Sequence, residues 1–257
     1  MINVSNLSFA RGNSLVFKNI NLSILNSDIF LIKGSNGKGK STLLSCISGF
    51  LEPLSGSIEY YKDQSIQLDE LTYKDVPSLS SEEIEKLEEF RPKNLDEASK
   101  ISGMKPNTLL QILRYKKISP ENLDHGIASE NLIFIGEEDF AYEDLTIIEN
   151  IYYWLSLNGV SPNNQAIMRS IKYLYGELNI NRKFLNLSFG QKRKMRMLLL
   201  MLVDKKIWIL DDPFSGLDEV SVQKITQLIS IKKEQNGIVI MATHITPKLL
   251  GMKEFEL

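Results

Sequence analysis

Apolar and polar residues alternate over residues 2–9 and again over 16–25, where Val16, Phe17, Ile20, Leu22 and Ile24 carry the pattern. That is the period of half-buried strands, and Arg11-Gly12-Asn13 between them predicts the turn of an antiparallel pair. Ile29-Phe30-Leu31-Ile32 is a continuous apolar run, as in a strand buried on both faces. Ile207-Trp208-Ile209-Leu210 and Ile238-Val239-Ile240-Met241 are runs of the same kind. A Gly-rich turn follows the first run and leads into helical spacing over 41–50, with Leu43, Leu44, Ile47 and Phe50 on one face. Between the other two runs, residues 220–234 predict a helix closed by Asn236-Gly237. Buried strands alternating with helices predict a parallel sheet covered by helices.

The middle of the chain has a different pattern. Residues 62–129 contain no buried-strand run and read as an insertion into an otherwise compact domain. Residues 82–89 predict an exposed acidic helix capped by Ser80 or Ser81. A second helix is predicted over 107–117, with Leu109, Leu110 and Leu113 on one face. Two readings of this segment stand side by side: a solvated loop with two surface helices, or a partner-binding element. From 145 to 200 the chain reads as mainly helical. Ile147, Ile148, Ile151, Tyr152 and Leu155 make one apolar face, and Ile167, Ile171 and Leu174 another. Both faces are expected to pack in a core.

Composition narrows the options. A length of 257 residues allows one large α/β domain or two small ones. Thirty basic against 32 acidic residues give a net charge of −2, which argues against a nucleic-acid partner. Cys46 stands alone, so no internal disulfide or cysteine metal cluster is expected, and a reducing compartment fits. No stretch approaches the roughly 18 apolar residues of a membrane span, and the start does not read as a signal peptide. The expectation is a chain that is soluble, or peripheral to a membrane through a partner.

The chemistry concentrates after the buried runs. Gly34-Ser35-Asn36-Gly37-Lys38-Gly39-Lys40-Ser41-Thr42 fits G-x-x-x-x-G-K-[ST] between a predicted strand and a predicted helix. Glycines let backbone N–H groups turn inward around phosphate oxygens, and the helix N-terminus adds a positive dipole. Lys40 is expected to reach the β- and γ-phosphates of a bound nucleotide, and the Ser41 hydroxyl to ligate Mg²⁺. Asp211 ends a buried run, where a carboxylate holds Mg²⁺ directly or through water, and Asp212 is expected to face the water attacking the γ-phosphate. A third motif, Leu187-Ser188-Phe189-Gly190-Gln191, precedes the helix-forming Lys192-Arg193-Lys194-Met195-Arg196.

In order and spacing these motifs resemble the ATP-binding cassette family over nearly the whole chain outside the insertion. The resemblance implies an α/β fold: a P-loop NTPase nucleotide-binding domain with a RecA-like core, an antiparallel β subdomain and a helical subdomain. Residues 1–257 form one such domain on this reading, with the insertion at 62–129 and the helical subdomain at 138–200. The resemblance also implies that residues 187–191 are the signature motif, usually L-S-G-G-Q. Ser188, Gly190 and Gln191 would then contact the γ-phosphate held by a second ATP-binding subunit, as in a homodimer. Ser215-Gly216-Leu217-Asp218 is similar to the D-loop and His244 to the switch histidine.

Four positions depart from the family pattern. Asp212 replaces the usual catalytic Glu and is one methylene shorter. A general base contributes about 10²–10⁴-fold, so slow hydrolysis is expected. Glu138 falls where the family has its Q-loop glutamine, a residue that ligates Mg²⁺ and couples to the membrane partner, with Glu137 as the alternative register. Arg11 takes the place of the adenine-stacking aromatic, a role its planar guanidinium can fill, with Phe9 the substitute if the register slips. Phe189 takes the place of a small signature residue.

Without the insertion the chain is similar to the haem-exporter ATP-binding subunits of cytochrome c maturation, on residues 207–214 and on the spacing from Gly136 to residues 145–150. That resemblance implies integral membrane transporter subunits as partners and a peripheral location. The face would be the cytoplasmic side of a bacterial inner membrane, or the matrix side of a mitochondrial one. Other exporters, or a module that binds ATP with little turnover, are the alternatives.

Overall fold

The early alternating segments pair as their pattern predicts. In a computed structural model that describes residues 1–61, 68, 71–77, 79–116, 121–122, 131–136 and 141–257, β1 (Ile2–Arg11) runs antiparallel to β2 (Ser14–Ile24). The register sets Ile2 opposite Ile24 and Val4 opposite Leu22. Pairing continues to Arg11 opposite Ser14, so the turn narrows to Gly12-Asn13, with Gly12 at φ 59°.

The chain divides into two compact units, Met1–Asn26 with Glu52–Asp124, and Ser27–Leu51 with His125–Leu257. In the first, β4 (Ser55–Tyr60) pairs with the other side of β1, and the two-residue β5 (Glu121–Asn122) extends the sheet to the order β2-β1-β4-β5. That short strand lies inside the segment 62–129, which reads as having no buried-strand run. Among the described residues of the unit, three α-helices accompany the sheet: α2 (Ser81–Phe90), α3 (Leu95–Ser99) and α4 (Pro106–Tyr115).

These helices are not a solvated surface layer. Leu87 of α2 and Ile112 of α4 are fully buried, in one cluster with Met1, Leu25 and Tyr61 from around the strands. Each such burial contributes about 1.5–3 kcal/mol. Ser80 caps α2 in a reciprocal box with Glu83, whose carboxylate also accepts the Thr108 hydroxyl of α4. The Thr108 hydroxyl, with the Ser80 backbone N–H behind it, holds the Glu83 carboxyl below the usual carboxylate range.

The second unit carries a five-stranded sheet in the order β6-β7-β8-β3-β9, every pair parallel. Its strands are β6 (Leu132–Ile135), β7 (Ile207–Asp211), β8 (Ile238–Ala242), β3 (Ile29–Lys33) and β9 (Met252–Glu256). All residues of β7 and β8 are buried, which is why their sequences read as unbroken apolar runs. Following β3 comes α1 (Lys40–Ile47), and between β7 and β8 lies α9 (Glu219–Glu234). The helical stretch resolves into α5 (Ile147–Leu157), α6 (Asn164–Tyr175), α7 (Phe189–Met197) and α8 (Leu199–Leu202). Ile147, Ile151, Leu155, Ile167, Ile171 and Leu174 are all buried in the core that packs on the sheet.

Strand β9 has no counterpart in the sequence reading. It is a short, largely exposed edge strand, tied down by ion pairs from Lys33 to Glu254 at 2.7 Å and from Lys253 to Asp28 at 2.8 Å. Short charged edges resist further strand pairing. Among the described residues, no helix is long and apolar enough to cross a membrane.

Candidate functional site

The order β7-β8-β3 sets three carboxyl ends side by side, and each carries one of the sequence motifs. In open parallel sheets this is the edge where ligands bind. The Gly34–Thr42 loop leaves β3, the Thr243-His244 segment leaves β8, and Asp211-Asp212 ends β7.

The loop has the backbone that its glycines allow. Gly34 sits at φ 141°, Gly37 at 80° and Gly39 at 96°, values that side chains other than hydrogen rarely adopt. Gly39 is the N-cap of α1 in the left-handed region, and it supplies no side chain to satisfy the first N–H groups. Those groups stay available at the positive end of the helix. Ser35, Asn36, Gly37 and Lys38 are exposed, as is Ser41, while Thr42 is half-buried. Lys40 is buried, and its ammonium donates to the carbonyls of Gly34 at 2.8 Å and Ser35 at 3.1 Å. The cation therefore lies within the loop, where a phosphate would exchange places with those carbonyls.

At the end of β7, Asp211 is buried and Asp212 half-buried. Asp212 has φ 46°, a left-handed conformation that is uncommon outside glycine but within reach of Asp and Asn. Hydrogen bonds hold it there. Its N–H donates to the Ala242 carbonyl at 2.7 Å, its carboxylate accepts the Thr243 hydroxyl at 2.9 Å, and its carbonyl accepts from Arg193. Thr243 in turn accepts from the N–H of Ile245, just past the exposed His244. The donor set fits Mg²⁺, a hard cation served by a hydroxyl at Ser41 and a carboxylate at Asp211.

The residues read as the signature motif, 187–191, lead into α7. Ser188 caps that helix in a reciprocal box with Gln191: its hydroxyl accepts the Gln191 N–H at 3.3 Å, and its own N–H donates to Gln191 Oε1 at 3.0 Å. Gly190 is required by packing within the chain, because a Cβ there would stand 2.5 Å from the Gly216 carbonyl oxygen.

Two residues the sequence reading left without a role bind α7 to the sheet edge. Arg193, fully buried, donates to the carbonyls of Asp211 and Asp212, and Arg196 donates to the Gly136 carbonyl at 2.7 Å. Their signal was present as two cations three apart on a helix next to the signature turn. Lys194 on the same helix pairs with Asp218 at 2.8 Å. That hydrogen bond, with those from Ser221, holds the Asp218 carboxyl well below its ordinary range.

Arg11 is exposed at the end of β1, in the first unit. Glu138 and its alternative Glu137 lie outside the described residues.

Comparison with known proteins agrees with this geometry. The chain is 27% identical over 250 residues to the cytochrome c biogenesis ATP-binding export protein CcmA of Wolbachia pipientis, covering 97% of this chain and 92% of the relative. It is 26% identical over 245 residues to the CcmA of Reclinomonas americana, covering 95% and 84%. In three dimensions it is similar to a putative ABC transporter ATP-binding protein from Pyrococcus furiosus, with a TM-score of 0.66 at 21% identity over 100% of this chain and 96% of that one. It also matches the cassette MJ0796 in a dimeric post-hydrolysis state bound to ADP and Pi, with a TM-score of 0.62 at 21% identity over 95% and 88%. The family pattern described as ABC transporter covers residues 17–215. That span takes in the Gly34–Thr42 loop, the Ser188-capped helix and Asp211-Asp212, and the chain belongs to the ABC transporter family.

Proposed function

We propose that this chain binds and hydrolyses Mg·ATP as one half of a cassette dimer, and that it powers a membrane export complex of cytochrome c biogenesis. One observation carries the reading: the Gly34–Thr42 loop and the Asp211-Asp212 pair end strands separated only by β8, with Lys40 within the loop. Residues Gly34 to Thr42 hold the phosphates, and Lys40 exchanges its carbonyl partners for phosphate oxygens. Ser41 and Asp211 hold Mg²⁺, which when bound neutralises charge on the phosphates. Asp212, its carboxylate held by the Thr243 hydroxyl, accepts a proton from the attacking water, and His244 is the switch histidine of the family resemblance. Ser188, Gly190 and Gln191 reach the γ-phosphate held by the second subunit. Glu138 as metal and coupling residue, and Arg11 as base-stacking residue, are carried by the family resemblance alone.

The relatives support the membrane assignment, since CcmA proteins are described as export proteins of cytochrome c biogenesis. A groove of about 780 Å³ supports it too. Phe50, Phe134, Tyr142, Trp154 and Leu157 line it, with Arg196 and Lys205 among its walls. Gly136, two residues before Glu138 in the sequence, is among its lining residues, and the groove is the surface that the reading gives to an integral membrane subunit. Haem handling, and attachment to the cytoplasmic or matrix face of an inner membrane, are part of the same proposal and rest on the family resemblance.

A second reading, an ATP-binding module with little turnover, draws on the short Asp212 side chain and its engagement by Thr243. Steady-state ATP hydrolysis separates the two. The wild-type chain is expected to turn over slowly and Asp212→Asn to lose most of that rate, with Asp212→Glu recovering or exceeding it. No turnover in the wild type or in Asp212→Glu would leave the module.

A further inference from the structure

Phe189 stands where the signature usually has a small residue, and 59% of it is exposed. Its ring is nevertheless not free of the rest of the chain. A Cβ built on Gly216 would lie 2.6 Å from both Cδ1 and Cε1 of the ring, so the ring edge rests on the bare Cα of Gly216. Beside it, Gly190 presses on the Gly216 carbonyl. Further along α7, Arg193 holds the Asp211 and Asp212 carbonyls and Lys194 holds Asp218. Helix α7 thus grips the loop from Asp212 to Asp218 at both ends and in the middle.

The middle is the weak point of that loop. Two turns fold it, with Ser215 N–H donating to the Asp212 carbonyl at 3.2 Å and Leu217 N–H to Phe214 at 3.2 Å. Gly216 sits at φ 70°, has no side chain to anchor it, and is exposed. A glycine there samples other conformations unless something covers it. An aromatic ring with only two rotatable bonds covers it at little entropic cost.

We infer that Phe189 is a positioning residue for ATP hydrolysis: by packing on Gly216 it fixes the Asp212–Asp218 loop, and with it the Asp212 carboxylate, to the helix that presents Ser188 and Gln191. The inference rests on the ATPase reading above. It accounts for the bulky residue in the signature as one partner of a pair whose other partner is the glycine of Ser215-Gly216-Leu217-Asp218.

The test is a double-mutant cycle on the full chain with Phe189→Ala, Gly216→Ala and both together, read by kcat and KM for ATP. Phe189→Ala uncovers the loop, while Gly216→Ala pushes the ring away. Each is expected to lower kcat about ten- to a hundred-fold, in line with catalytic misplacement, and to leave KM within about two-fold. The double variant should be no slower than the worse single, and Phe189→Tyr, which keeps the ring, should retain the wild-type kcat. The strain of any side chain at φ 70° enters both Gly216→Ala backgrounds and cancels in the cycle. Wild-type kcat in Phe189→Ala, or losses that multiply in the double variant, would overturn the inference. Urea midpoints of the same four proteins read the contact without hydrolysis and should be non-additive. A wild-type chain without turnover sinks the ATPase reading and the positioning role with it. Additive midpoints in a chain that does turn over sink the inference alone.

Discussion

Asp218 shows how much one side chain at the site edge can serve. It caps α9 by accepting the Ser221 N–H at 2.7 Å, and it pairs with Lys194 across from α7. Both partners favour the carboxylate, so its folded pKa lies below the ordinary 3.8. A depressed carboxyl contributes stability above the unfolded pKa and loses it as pH falls through the folded value. Asp218→Ala is therefore expected to cost about 1 kcal/mol at neutral pH through the lost cap. The gap to wild type should narrow as pH drops below about 3.8. Urea midpoints at pH 7 and pH 3 check this, and an equal gap at both would contradict it. At this scale most of the site was legible. The loop residues 34–42 and the acids 211–212 carry their chemistry in residue type and spacing. Arg193 and Thr243 were not legible as site residues, because their roles come from carbonyls and carboxylates brought close only by the sheet.

Among the elements, the parallel sheet was the easier to read. Its central strands β7 and β8 are buried on both faces, so hydrophobic runs mark them without help from partners. Strand β9 was missed because it is a half-exposed edge whose place depends on pairing with β3 and on two ion pairs. The acidic helix α2 was found, with Ser80 the cap of the two candidates Ser80 and Ser81, but its burial was not. Leu87 lies in a cluster assembled from Met1, Leu25, Tyr61 and α4, residues that no local window brings together. Because Ile112 is fully buried in that cluster, Ile112→Ala is expected to destabilise the chain by about 2–5 kcal/mol. Equilibrium denaturation measures it. A change under about 0.5 kcal/mol, typical of a surface site, would return these helices to a solvated layer.

For the molecule as a whole, the loop 34–42, Asp211-Asp212 and His244 were legible because they follow buried runs directly, so finding the strands also ordered that part of the site. The arrangement of strands that makes the three ends neighbours came from the sheet order, which no local pattern specifies. The central claim is that the loop between β3 and α1 binds nucleotide through Lys40 and thereby assembles the cassette dimer. Sedimentation of the purified chain with and without Mg·ATP, wild type beside Lys40→Ala, tests it most directly. The account predicts ATP-dependent dimerisation of the wild type and none for Lys40→Ala at the same concentration. Equal ATP-driven dimerisation of both proteins would contradict it.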